Sequence, residues 1–120
     1  MLLDSNIVIY AVQPDHSALR KFIADHNPSV SAISYVEVLG YHNLEEQDRL
    51  YFEGFFHSTE MIDISEPILG QAISLRQQRK MSLGDALIAG TALIHSLTVV
   101  THNVKDFEWV DDLKVLDPMV

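Results

Sequence analysis

Short apolar runs alternate with segments of helical periodicity along most of the chain. The predicted strands are Met1–Leu3, Val30–Ile33, Met61–Ile64, Thr98–Thr101 and a strand that contains Val115–Leu116. Between them, apolar residues recur at i, i+3, i+4 and i+7, which is the period of an amphipathic helix. The predicted helices are Asn6–Val12, Ser17–His26, Ser34–Tyr41, Leu44–Phe56, one capped by Ser65, and Asp85–Leu97. The last helix is apolar nearly all round, which predicts a central position.

Strands that alternate with helices in this way indicate βαβ units and a mainly parallel sheet. The predicted fold class is therefore α/β, with about five strands. Two of the crossovers between strands are expected to contain two helices each. The chain shows no internal repeat, low-complexity run or linker, so residues 1–120 are expected to form one domain.

Polar residues at three further predicted helix starts match capping patterns. Ser34 and Glu37 fit a capping box, in which the side chains of the N-cap and N3 residues bind each other's backbone N–H groups. Ser82 and Asp85 fit a similar arrangement. Asn43 is the expected N-cap of the helix that follows it.

The composition narrows the possible functions. The chain has 120 residues, 48% of them hydrophobic, and no cysteine, which excludes a disulfide framework and a thiolate metal site. The formal net charge of −9 argues against broad electrostatic attraction to nucleic acid. Asp4 interrupts the first apolar run, unlike a secretory leader, and the uncharged segment Ala86–Val104 is too rich in polar residues for a membrane span. A cytoplasmic protein is therefore expected.

Four acidic residues that are far apart in sequence are predicted to reach one edge of the sheet. Asp4 directly follows the first strand, Glu37 lies in the first turn of the helix after the second strand, and Asp106 comes just beyond the fourth. Asp85 opens the helix that returns to the fourth strand, and such a helix begins at the carboxyl edge. Ligands of open parallel sheets bind at this edge. The pattern thus predicts a cluster of four carboxylates.

Each acid also has a structural explanation, as a helix cap or an ordinary loop residue. Their convergence favours a functional site, because close carboxylates raise each other's pKa unless a positive charge lies between them. Mg²⁺ or Mn²⁺ prefers oxygen ligands, and such an ion supports phosphodiester hydrolysis by activating water. Thr101 and Asn103 are candidates to orient water or a carboxylate. Ser5 has no evident base partner, so nothing suggests a covalent intermediate.

Four segments carry a resemblance to a known family. They are Leu2–Ile7 (LLDSNI), Ser34–Val38 (SYVEV), Gly84–Ala89 (GDALIA) and Thr101–Phe107 (THNVKDF). In their order and spacing, the chain resembles PIN-domain ribonucleases, especially VapC-type toxins of bacterial toxin–antitoxin pairs, over essentially its whole length. The resemblance implies a Rossmann-like three-layer α/β/α sandwich and endonucleolytic, Mg²⁺- or Mn²⁺-dependent cleavage of RNA. It also implies a homodimer and a cognate antitoxin that covers the site, with DNA contacted only through the antitoxin.

The resemblance also assigns roles to individual residues. The implied catalytic and metal-binding residues are Asp4, Glu37, Asp85 and Asp106, and the implied supporting residues are Ser5, Asn6, Thr101 and Asn103. The departures from the family pattern are small: Ser5 stands where Thr is commoner, Gly84 where Pro often precedes the third acid, and His102 where a basic or polar residue varies. None removes a carboxylate. Gly84 is expected to loosen the start of its helix, because glycine has greater backbone freedom.

Basic residues flank two of the four acids. The candidates for an RNA-binding rim are Arg76, Arg79, Lys80 and Lys105. The same placement fits solvated helix ends, where basic side chains complement the helix dipole. The sequence favours neither explanation over the other.

Two other function classes are compatible with an acid after the first strand of an α/β fold. A phosphatase of the haloacid-dehalogenase type needs a second Asp two residues after the first, where this chain has Asn6. A receiver-like phosphoryl-transfer domain needs paired acids before its acceptor loop and a late Lys, an arrangement that this sequence does not match. A catalytically inactive binding module with the same fold stays open, although such a module has no need of all four acids.

Overall fold

The computed structural model describes all 120 residues, Met1–Val120. The strands are β1 (Leu2–Leu3), β2 (Ser29–Ser31), β3 (Met61–Ile62), β4 (Val99–Val100) and β5 (Val115–Leu116). The helices are α1 (Ser5–Ala11), α2 (Ser17–His26), α3 (Ala32–Leu39), α4 (Glu46–His57), α5 (Glu66–Gln78) and α6 (Leu83–His95), with a 3₁₀ turn at Val104–Asp106. Every predicted strand and helix is present, with boundaries that differ by a few residues.

The five strands form one parallel sheet in the order β3-β2-β1-β4-β5. β1 is central, and its Leu3 is in register with Val30 of β2 and Val100 of β4. The chain builds outward from β1 to β3 and then returns to the other side of β1 for β4 and β5. The strand order therefore reverses between β1 and β4, and open parallel sheets form a ligand-binding crevice at the carboxyl ends of the strands at such a point.

Helices cover both faces of the sheet, because successive residues of a strand point to opposite faces. Leu2 and Val99 belong to a core cluster with residues of α5 and α6. Leu3 and Val100 belong to a second cluster with residues of α1 to α4. All four side chains are fully buried. The result is the three-layer α/β/α sandwich that the resemblance implies.

Helix α6 is buried without interruption over Ala86–Ala92, which confirms the prediction of a central apolar helix. It packs closely on α5, and Gly90 permits the approach: a Cβ at this position would lie 3.0 Å from the carbonyl oxygen of Ile68. None of the helices is both long and apolar enough to cross a bilayer.

The capping box predicted for Ser34 and Glu37 is wrong. α3 begins two residues earlier, at Ala32, because the Ser31 hydroxyl caps it by accepting a hydrogen bond of 3.2 Å from the backbone N–H of Ile33. Ser34 therefore lies inside the first turn of α3. Glu37 lies in the second turn rather than the first, and its side chain is not engaged in capping.

Two further expectations differ from the structure. Helix α4 begins at Glu46 with Glu45 in the N-cap position, so Asn43 lies in the preceding turn and does not cap it. Three crossovers, not two, contain a pair of helices, because α5 and α6 both lie between β3 and β4. The α5–α6 pair covers one face of the sheet and delivers the first turn of α6 to the carboxyl edge.

Candidate active site

The four predicted acids come from four separate parts of the fold. Asp4 lies between β1 and α1, Glu37 on α3, Asp85 in the first turn of α6, and Asp106 at the end of the 3₁₀ turn after β4. Asp4 is only 5% exposed, Asp85 is half-buried, and Glu37 and Asp106 are exposed. The site thus combines one buried acid with three more accessible ones.

The Asp4 carboxylate is held by both of its oxygens. Oδ1 accepts a hydrogen bond from the backbone N–H of Ser5 at 2.8 Å, and Oδ2 accepts one from the Thr101 hydroxyl at 2.7 Å. Thr101 follows β4, so the second bond joins the carboxyl ends of β1 and β4. The Thr101 hydroxyl itself accepts from the backbone N–H of Asn103 at 3.0 Å. These bonds fix the orientation of the buried acid.

Glu37 is positioned by Ser5, the first residue of α1. The Ser5 hydroxyl lies 2.7 Å from Glu37 Oε1 and 2.9 Å from Ser34 Oγ. A hydroxyl carries one proton and a carboxylate can only accept, so Ser5 donates to Glu37 and accepts from Ser34. Both serines are buried, and the hydrogen bonds therefore link the core to the Glu37 carboxylate. The sequence alone does not reveal this role of Ser34, because a serine at this position fits a helix N-cap equally well.

Gly84 gives the Glu37 carboxylate room beside the first turn of α6. A Cβ at position 84 would collide with Glu37 Oε2. Gly84 has no unusual backbone conformation, since no glycine of the chain has a positive φ. The site therefore depends on the absence of a side chain at Gly84 and not on the backbone freedom of glycine.

Asp85 occupies the N3 position of α6. Its backbone N–H donates to the hydroxyl of the N-cap residue Ser82 at 3.1 Å, which confirms the predicted cap. The pKa of Asp85 is raised to about 6, first by burial and then by the charges of the three other acids, against an opposing hydrogen bond with Ser82. This carboxyl is therefore poised to change its charge just below neutral pH.

Burial also raises the pKa of Asp4. Hydrogen bonds from Thr101 and Ser5 oppose the increase, and the charges of Glu37 and Asp106 add to it. The acids thus share one electrostatic environment, as their predicted convergence requires. They do not form a closed metal cage, because no group of three Asp, Glu or His side chains is close enough to hold an ion between them.

Asn6 and Asn103, two of the predicted supporting residues, make different contacts. Asn6 Oδ1 is the one buried side-chain polar atom of the chain without a hydrogen-bond partner, although such atoms are nearly always paired. Asn103 is exposed and contributes through its backbone: its carbonyl accepts from the N–H of Asp106 at 3.0 Å. Asn6 therefore supplies a free acceptor, whereas Asn103 shapes the turn that carries Asp106.

Three of the four basic residues in the predicted rim line one pocket together with Asp85 and Asp106. This cavity of about 300 Å³ contains Arg79, Lys80, Lys105 and Trp109 in its wall. Arg76 belongs elsewhere: its Nε donates to the Met81 carbonyl at 3.1 Å, and it lines a separate groove between α5 and α6. Trp109 was not among the predicted site residues. Its one distinguishing signal in the sequence is that it is the single tryptophan of the chain.

Comparisons with known proteins identify the family of this chain. A family model of the PIN domain matches residues 1–113. The chain is 27% identical to Ribonuclease VapC2 of Rickettsia felis, over 93% of this chain and 92% of that protein. It is 26% identical to the tRNA(fMet)-specific endonuclease VapC of Shigella flexneri, over 97% and 96%. A solved toxin-antitoxin complex from Klebsiella pneumoniae contains a chain that is 26% identical, with a TM-score of 0.78 over 98% of this chain and 96% of that one. The match over nearly the whole chain shows that this protein belongs to the PIN-domain family.

Proposed function

We propose that this chain is a VapC-type endoribonuclease, the toxin of a toxin–antitoxin pair, which hydrolyses RNA with the help of Mg²⁺ or Mn²⁺. The observation that carries the proposal is the single electrostatic cluster of Asp4, Glu37, Asp85 and Asp106, where the strand order reverses. Relatives that are named as a ribonuclease and an endonuclease support the reaction class.

The donor set fits a hard divalent cation. All four acids offer carboxylate oxygens, the ligands that Mg²⁺ and Mn²⁺ prefer. Asn6, two residues after Asp4, also carries a buried oxygen without a hydrogen-bond partner. Mg²⁺ binds through one or two carboxylates and keeps several waters, so an open arrangement of acids is compatible with it. Asp4, Glu37, Asp85 and Asp106 are the residues that would supply its ligands, either directly or through bound waters. When bound, it would activate water and stabilise negative charge on the phosphoryl group.

The chain's own residues contribute orientation. The Ser5 N–H and the Thr101 hydroxyl hold Asp4, and the Ser5 hydroxyl holds Glu37. Groups that are fixed before substrate binds need no reordering as charge develops during the reaction, which lowers the barrier. With a pKa of about 6, Asp85 is mostly ionised at neutral pH and is available as a ligand or as a proton acceptor.

An antitoxin is the proposed protein partner, and the solved relative from Klebsiella pneumoniae is itself a toxin-antitoxin complex. An apolar groove of about 360 Å³ between α1 and α4 is the surface that we assign to an antitoxin segment. Ile9 and Tyr41 in its wall are 40% and 55% exposed, and apolar side chains exposed together mark interaction sites. Co-purification with the product of a neighbouring small gene tests whether the chain binds such a partner.

The proposed homodimer involves a different surface. Leu69, Ile73 and Leu83 are exposed around the groove between α5 and α6. Burying them against a second copy would remove apolar surface from water. Light scattering on the purified chain measures the oligomeric state directly.

The reaction is tested with Asp4→Asn. Purified wild-type protein should generate new RNA ends from cellular RNA in Mg²⁺, and EDTA should prevent this. Asn keeps the shape of Asp but removes the charge and one of the two acceptor oxygens, so the variant should still unfold cooperatively, and it should lose at least about 100-fold in cleavage rate.

Asp15→Asn is the matched control, because Asp15 is exposed in the loop between α1 and α2. This variant should cleave RNA like wild type. Wild-type cleavage by Asp4→Asn would contradict the site assignment. A wild-type chain that cleaves no RNA, and whose expression is not toxic, would instead indicate the inactive binding module.

A further inference from the structure

The pocket beside Asp85 and Asp106 concentrates positive charge in a strongly acidic protein. The chain has 8 Lys and Arg residues against 17 Asp and Glu. Arg79, Lys80 and Lys105 all line this one cavity, and all three are exposed. None of them forms an ion pair, whereas Lys21 and Arg49 are paired with acids on their own helices. The three cations are therefore free to meet an anionic ligand.

An aromatic ring completes the wall. The Trp109 Nε1–H donates to the carbonyl of Asp106 at 3.1 Å, which ties the indole to the turn that carries a candidate catalytic acid. The guanidinium carbon of Arg79 lies 5.0 Å from the indole centroid, a cation–π contact. Arg79 thus presents a planar charged group whose position is set by the indole beneath it. Guanidinium planes and aromatic rings are the surfaces on which unpaired RNA bases stack.

We propose that this pocket binds one nucleotide of the RNA, adjacent to the bond that is cleaved. This inference rests on the proposed ribonuclease function. The base stacks on the platform formed by Arg79 and Trp109, and the phosphate contacts Lys80 and Lys105. Because Asp85 and Asp106 line the same cavity, a nucleotide held there places the neighbouring phosphodiester at the acidic cluster. A volume of about 300 Å³ is at the lower end for small-ligand pockets, as one nucleotide requires.

Trp109 is the only tryptophan, so its fluorescence reports on this pocket alone. The four nucleoside 5′-monophosphates have no phosphodiester to cleave and serve as probes, with excitation at the red edge where they absorb little. At least one should change the emission saturably, and inorganic phosphate should not. Arg79→Ala should weaken this binding about 10-fold, the usual scale of losing one stacking partner. Lys21→Ala removes the same charge from α2 and should bind like wild type.

RNA cleavage gives a second readout. Arg79→Ala should raise KM about 10-fold with little change in kcat, and Arg79→Lys, which keeps the charge but loses the plane, should recover only part of it. Trp109→Phe keeps a ring and should retain a near-normal KM, whereas Trp109→Leu should not. Melting curves identify any variant that fails to fold.

The inference is overturned if no nucleotide changes the Trp109 emission saturably, if inorganic phosphate gives the same change, or if Arg79→Ala cleaves RNA with wild-type KM. In that last case the ribonuclease function stands. If the chain instead binds nucleotides saturably but cleaves no RNA, the nucleotide pocket is supported and the proposed ribonuclease function is contradicted.

Discussion

Replacing Asp85 by Asn tests whether the four acids repel one another when no cation is bound. In the folded chain the pKa of Asp85 is raised from 3.8 to about 6, and in the unfolded chain it returns to its ordinary value. The folded state therefore binds the proton more tightly, so the ionised carboxylate destabilises the fold at neutral pH. This difference in pKa corresponds to about 3 kcal/mol at most. Because Asp85 is half-exposed, solvent screening reduces the effect to about 1 kcal/mol.

Asparagine has the shape of the neutral acid, so Asp85→Asn should be more stable than wild type in EDTA. A gain of about 1 kcal/mol raises the melting temperature by about 4 °C in a domain of this size. The stabilising effect of the proton is fully present below about pH 4 and is lost as the pH rises through about 6. The advantage of the variant should therefore be greatest near pH 8 and vanish near pH 4. With Mg²⁺ present, the wild type gains binding energy that the variant lacks, so the difference should narrow or reverse.

Thermal unfolding followed by circular dichroism in EDTA, across this pH range, measures the effect. Asp15→Asn, at an exposed loop position, controls for the loss of one negative charge from the whole protein. A lower melting temperature for Asp85→Asn at about pH 8, or a difference that does not vary with pH, would refute the reasoning. Asp85 would then be an acid that stabilises the N-terminus of α6 through the helix dipole.

Two further substitutions test how the acids are positioned. Thr101→Val removes the hydroxyl that donates to the buried Asp4 carboxylate, so the free energy of unfolding should fall by about 2 kcal/mol and cleavage should slow. Thr101→Ser should restore both, and an unchanged melting temperature for Thr101→Val would contradict this. Gly84→Ala favours the α6 helix by up to about 1 kcal/mol but displaces Glu37, so cleavage and Mg²⁺ affinity should fall while stability does not. Gly70→Ala on α5, where a Cβ meets nothing within 4 Å, is its control, and full activity in Gly84→Ala would count against the crowding of Glu37.

Much of the fold is determined by local sequence. The order of strands and helices follows from hydrophobic periodicity, because burial on a sheet or on one helix face imposes a period on the residues. Asp4 is placed by the same logic: an acid directly after a buried parallel strand must lie at the carboxyl edge. The Ser82 cap of Asp85 is also local, since its two groups are three residues apart. The start of α3 shows the limit, because Ser31 and Ser34 are both good N-caps and only the pairing of β2 selects Ser31.

The tertiary structure alone decides which distant side chains meet. Ser34 contacts Ser5, and the absence of a side chain at Gly84 leaves room for Glu37. Nothing in the length of the segments between these residues predicts the contacts. The pocket brings Arg79, at the end of α5, next to Trp109, which lies beyond β4. Three of the four basic residues predicted as a rim therefore line one cavity, and Arg76 lies outside it. The sequence determines each element because its energetics are local. The reversal of strand order between β1 and β4 determines the site, because it brings together side chains that no local interaction relates.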